Sequence, residues 1–307
     1  MKFVALICWW HLLSLDAPTV AALWAYLFAH VVHIRLPWTA PLILALGTWL
    51  IYITDRLLDG ISHEESKRLR ERHYFYARNF KLFLTAALAG GAILLWLIAT
   101  RMYVFARIED AVVFGAAIVY FGVIHGASLG GRKRAKEVGQ NEASPAKKDT
   151  CSKRVRLPKE LAVALLFASA TAVPAWSRLD GTDAGQFRDL SMAVICFAVL
   201  CWLNCVAIEH WETTDRFEPS FFHMHATTKW AGRNLASLAV AISGIALCLS
   251  VEPLGPVALE PVFLSVALSA AMLFALNSLR GNLSSLQLRV AADAALLTPL
   301  LFLMSEH

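Results

Sequence analysis

Charge is what this chain has least of: Asp, Glu, Lys and Arg make up only 17% of its 307 residues, while 58% are hydrophobic and the mean hydropathy is +0.56. Soluble domains carry about a quarter charged residues, so an ordinary soluble class is excluded and an integral membrane protein is indicated. Cysteine is scarce too, with six in all and no CxxC pair. Cys8, Cys196, Cys201, Cys205 and Cys248 fall in apolar runs and Cys151 in a polar one, which argues against a disulfide framework and against a thiolate zinc site. After the N-terminal apolar run Phe3 to Leu13 no small-x-small cleavage site follows, which disfavours a cleaved signal peptide despite the Met1-Lys2 start.

A helix needs about 20 mostly apolar residues to cross a bilayer. Nine segments qualify: Ala17–Ile34, Ala40–Leu58, Leu82–Tyr103, Ala111–Gly126, Leu161–Trp176, Leu190–Ile208, Leu235–Val251, Pro261–Leu279 and Val290–Met304. The fold class expected is therefore all-α, a polytopic membrane bundle of about nine helices. The run Phe3 to Leu13, with Trp9 and Trp10, reads as an interfacial helix, and Ser14-Leu15-Asp16-Ala17-Pro18 as the N-cap and first turn of the first span.

Twenty-three of the 28 Lys and Arg residues fall on one side of this arrangement, which makes that side cytoplasmic, with the N-terminus inside and the C-terminus outside, as in a bacterial-type inner membrane. The net charge of +5 mostly reflects this asymmetry and an attraction to anionic lipid, not nucleic-acid binding. A basic stretch, 128–158, broken by Gly and Pro, has too little apolar content to build a core and reads as a disordered insertion. It divides the single domain, 1–307, into helical halves of 1–127 and 159–307.

Two acidic clusters end apolar runs on the cytoplasmic side: Asp55 to Asp59 (DRLLD) and Glu209 to Asp215 (EHWETTD). A carboxylate costs roughly 2.5–3.5 kcal/mol at the bilayer centre and less toward its edge, so such clusters call for a use. Asp55 and Asp59 stand at i and i+4, Glu209 and Glu212 at i and i+3, so each pair shares a helix face. Magnesium takes one or two carboxylates and completes its shell with water and phosphate oxygens, which suits two facing pairs holding a diphosphate. The competing reading is a set of helix-end ion pairs, with Arg56 and the following basic loop neutralising Asp55 and Asp59. Basic residues flank the face, among them Arg72, Lys153, Arg154, Arg156 and Lys159; they fit a diphosphate leaving group and equally a positive-inside bias. Arg289 and Asp293, at i and i+4, read as a packed ion pair, and His210, His223 and His225 lack the helical spacing of a zinc site.

This layout resembles the UbiA superfamily of intramembrane prenyltransferases: nine inferred spans, Asp55-x-x-x-Asp59 ending the second, acids ending the sixth, and Tyr120 in the fourth followed by basic residues before the fifth. Of the family's first motif only the last two acids match, and Ile51 and Tyr52 stand where its leading polar pair belongs. Glu209, Glu212 and Asp215 take the place of the second motif's aspartates, with Asn204 one turn earlier. Ile124 stands where the lysine of the Tyr-x-x-x-Lys element belongs, leaving Lys153 or Arg154 to supply its charge.

The resemblance implies a metal set of Asp55, Asp59, Glu209, Glu212 and Asp215 for Mg2+, with Asp55, Asp59, Glu209 and Glu212 catalytic. Asn204, Tyr120, Arg72, Lys153, Arg154, Arg156 and Lys159 would bind substrate. Partners would be a polyprenyl diphosphate, a lipophilic acceptor and membrane lipid. The degenerate motifs keep open a non-catalytic relative that binds an isoprenoid lipid or a partner. A CDP-alcohol phosphotransferase is weaker, since beyond Asp59-Gly60 its signature does not continue.

Overall fold

The computed structural model describes residues 9–62, 75–76, 78–116, 119, 158–179, 184–216, 225–251 and 259–304, with the side chains of 58–62 and 215–216 outside that description. Among these residues the structure is helical, without a strand. After a short turn of helix α1 (9–12) come α2 (Asp16–Val31), α3 (Thr39–Ser62), α4 (Phe80–Arg101), α5 (104–116), α6 (Lys159–Trp176) and α7 (Ala184–Arg216). Then follow α8 (Ala226–Arg233), α9 (Leu235–Val251), α10 (Glu260–Leu279), a 3-10 turn at Arg280–Asn282, α11 (Ser285–Ala295) and α12 (Pro299–Leu303).

Six helical segments are long and apolar enough to cross a membrane, and α8 with α9, bent by 79°, brings the number to seven if counted as one broken span. The nine expected from sequence are thus not all met among the described residues. The first has become α2, only 16 residues long, and the fourth runs out of the described region after α5. What identifies lipid-facing surface is the inverted exposure of α4, where Leu88 and Leu95 are 68% and 69% exposed. Leucines in that position are stable against hydrocarbon, whereas an apolar patch of this kind in water marks a contact site.

α2 is the hub. Ala21, Trp24, Ala25, Leu27 and Phe28 are all fully buried, so most of the helix surface is covered, packing against α3, α6, α10, α11 and α12, and only a stripe through Tyr26 and His30 is exposed. Pro18 is tolerated in its first turn, where amide groups have no helical acceptor. At its far end His33 takes a left-handed φ of 58°, and Ile34 N–H donates to the Ala29 carbonyl at 2.7 Å, the six-to-one bond that closes a Schellman turn. Trp24 stacks on Phe197 with ring centroids 4.1 Å apart, and its indole N–H donates to the Leu296 carbonyl at 2.9 Å. That carbonyl lies where the chain breaks between α11 and α12, so the tryptophan satisfies an acceptor that the helix has released.

Small residues set how closely the neighbours approach. Ala164, Ala168 and Ala172 repeat every fourth residue on the buried face of α6, which packs on α7 and α2. In lipid, with no hydrophobic drive between helices, such close van der Waals contact is what holds them. Gly232 on α8 serves the same end: a Cβ there would stand 2.8 Å from Nδ1 of His210. The helix can therefore lie against α7 only because this residue has no side chain.

Candidate functional site

The turn between α1 and α2 departs from the side-chain cap expected within Ser14 to Pro18. The serine has a left-handed φ of 58°, the residue preceding α2 is Leu15, and no side chain caps the helix. The Ser14 hydroxyl instead bonds Tyr76 at 2.6 Å and accepts from Arg56. Arg56 also donates to the His11 carbonyl at 3.3 Å and lies over the Tyr76 ring. Arg56 is only 3% exposed, and its guanidinium staples α3 to the turn; the side chain of Asp59 and the basic loop expected to neutralise the acids lie outside the described set.

The staple holds His11 and Asp16 inside the bundle. His11 Nδ1 lies 2.8 Å from Asp16 Oδ2 and 3.8 Å from Asp293 Oδ2, and both His11 and Asp16 are almost fully buried. The second Asp16 oxygen accepts from the Ala17 amide at 3.0 Å. Burial pulls the His11 imidazole below its ordinary pKa, more than Asp16 raises it.

From the opposite side, α11 and α7 supply the rest. A capping box at Ser284 and Gln287 starts α11, so that Arg289 and Asp293 follow one turn apart on one face. Arg289 donates to Oε1 of Glu212 at 2.7 Å, and Asn204 Nδ2 donates to Oδ1 of Asp293 at 3.4 Å. Rising along α11 thus means descending along α7, so the two helices run antiparallel. The Arg289–Asp293 ion pair expected from their spacing is replaced by one bond from each residue across to α7. Tyr52 on α3 lies within the charge field of Asp16, Asp293 and Arg289 and close to Cys205 of α7; Cys205 in turn lies near Glu160 and Lys159.

The sequence candidates are distributed unevenly around this buried cluster. Glu212 and Asn204 belong to it. Asp55 and Glu209 are half-buried, each one turn beyond a cluster residue, Tyr52 and Cys205 respectively. Lys159 is exposed at the start of α6. Asp59 and Asp215 lie in helices but their side chains are outside the described set, and Tyr120, Arg72, Lys153, Arg154 and Arg156 lie outside the described residues altogether. Of the histidines, His210 meets Arg280 at 3.4 Å, His225 accepts from the Thr227 amide at the start of α8, and His223 is outside the described residues.

No family model, curated protein or solved structure matches this chain.

His11, Asp16, Arg56 and Tyr76 are the cluster residues that sequence reasoning passed over as a site. One signal was available: Asp16 is the only acidic residue before Asp55, in a segment otherwise nearly devoid of charge. Within a segment that reads as a helix cap and first turn, it gives no sign of a distant partner. Its partner Asp293 is 277 positions away in the chain, and no local pattern links the two.

Proposed function

We propose that the protein is a membrane-embedded, UbiA-like prenyltransferase that transfers a polyprenyl group from its diphosphate to a lipophilic acceptor. The observation that carries this reading is a cluster of ionisable groups buried among apolar helices, with Asp55 and Glu209 one turn beyond it on α3 and α7. Ionisable groups inside a bundle are retained for a polar ligand or a charge relay rather than for stability. The oxygen donors of Asp55 and Glu209 fit a hard cation by type, and Oε1 of Glu212 accepts from Arg289. Bound magnesium would supply Lewis-acid polarisation of the diphosphate. Asp55, Asp59, Glu209 and Asp215 would hold it, Lys159 with Lys153, Arg154 and Arg156 would take up charge on the leaving group, and Asn204 would line the substrate path.

Incubation of the purified protein with magnesium, geranyl or longer diphosphates and a panel of quinone precursors should release diphosphate. Asp55→Ala and Glu209→Ala should each lower turnover by about 100-fold or more while leaving expression nearly unchanged. Silence across the panel, without magnesium-dependent lipid binding, would sink the reading.

A second reading, a non-catalytic relative that binds an isoprenoid lipid, is favoured by the Arg289–Glu212 bond, which occupies an acid the enzyme would want for metal. Lipid binding that is unchanged by chelator and accompanied by no turnover would select it.

We further propose nine spans in two halves, in an inner membrane with the N-terminus cytoplasmic, counting α2 and 111–126 as crossings. Protease added to inverted vesicles should then cut within Ser128–Lys153, and right-side-out vesicles should be protected there. The opposite pattern overturns the orientation.

A further inference from the structure

Three side chains, His11, Asp16 and Asp293, that the magnesium scheme does not use meet in the cluster, with Asn204 of α7 beside them. One ligand atom from each of His11, Asp16 and Asp293 lies within 4.8 Å of the other two. Donors about 2.1 Å from a shared cation stand about 3.0 Å apart in an octahedron and about 3.4 Å apart in a tetrahedron. The 2.8 Å and 3.8 Å separations from His11 Nδ1 to the two aspartates bracket those edges.

Buried polar atoms around the triad are left over. His11, 1% exposed, directs Nδ1 at both carboxylates while Nε2 has no hydrogen-bond partner. A proton on Nδ1 can serve Asp16 at 2.8 Å but not also Asp293 at 3.8 Å. Asn204, 5% exposed, is tethered to Asp293 through Nδ2, and its carboxamide oxygen is buried without a partner. Of these, the Asn204 oxygen is the orphaned acceptor on the triad's side, and a cation within its reach would remove the cost of leaving it unsatisfied; Nε2 points away from the triad.

We propose that His11, Asp16 and Asp293 bind one divalent transition-metal ion, with the Asn204 carboxamide oxygen as a further donor. An imidazole among carboxylates favours a first-row transition ion over magnesium, whose shell is made of oxygens. Binding displaces the proton that Nδ1 shares with Asp16. The site uses none of the acids of the magnesium scheme, so it stands whether or not prenyl transfer does.

The test uses the full chain in detergent, stripped with chelator and reloaded with Zn2+ or Co2+. One ion per chain should be retained after desalting in the presence of excess Mg2+, Tm should rise on loading, and Co2+ should give ligand-field bands without thiolate charge transfer. Asp293→Asn and His11→Gln should lose the ion, and Glu260→Gln, a change on the exposed start of α10, should keep it. Should either site variant fail to fold, the wild-type Tm and Co2+ spectrum still decide. No retained ion with no change in Tm, a thiolate band pointing to the cysteines of α7, or full occupancy in Asp293→Asn would each overturn the proposal.

Discussion

Arg289→Met should lower the stability of the bundle by about 3–5 kcal/mol, because it strips the cation from a carboxylate that cannot return to water. Glu212 is 8% exposed and binds Arg289 at 2.7 Å, with the arginine's side chain itself only 20% exposed. Removing both charges should cost much less. The pair Arg289→Met with Glu212→Leu is expected to recover most of the loss, since replacing a buried ion pair by apolar side chains of similar volume is often neutral or better. Unfolding in detergent, followed by intrinsic tryptophan fluorescence across the wild type, both single variants and the double, measures the coupling. Additive single effects would show that the bond contributes nothing to the fold.

Trp24→Ala is the other large effect, expected at about 3–5 kcal/mol from the cavity left in the hub helix. The residue is fully buried, stacked on Phe197 at 4.1 Å and bonded to the Leu296 carbonyl at 2.9 Å. Trp24→Phe separates the two contributions. It keeps most of the ring packing and leaves the carbonyl at the break between α11 and α12 without its donor, at about 1–3 kcal/mol. Because that break follows Asp293 by only a few residues, Trp24→Phe should also loosen the cluster, seen as faster hydrogen exchange at the end of α11. Exchange unchanged there, with stability lowered, would confine the tryptophan's role to packing.

How much of this could be read beforehand follows from the range of each interaction. The membrane class and most crossings were legible because a bilayer demands about 20 apolar residues in one stretch, a property of consecutive positions. α2 was misjudged in length: the apolar run continues to Ile34, but the left-handed His33 ends the helix at Val31. The apolar pattern continues through that residue and so gives no sign of the turn. Asn204 and Glu212 were recognised as polar residues in an apolar helix, and both lie in the cluster.

Partners were another matter. The i, i+4 spacing of Arg289 and Asp293 suggested a bond along α11, and Arg56 beside Asp55 suggested a neighbouring pair. In each case the side chain reaches another element instead, Glu212 on α7 or Ser14 in the α1–α2 turn. Spacing tells which residues share a face, and says nothing about what that face meets.

The amino-acid sequence by itself determined that this chain is helical, that it belongs in a membrane and which residues carry charge there, because hydropathy and periodicity are sums over neighbours in the chain. Only the tertiary structure decided that His11, Asp16, Asn204 and Asp293 are one cluster and that Arg289 serves Glu212. Those assignments depend on how an antiparallel α7 and α11 align around α2. Trp24 ties the end of α11 to α2, and the bonds Arg289–Glu212 and Asn204–Asp293 tie α11 to α7, through contacts between residues far apart in the chain.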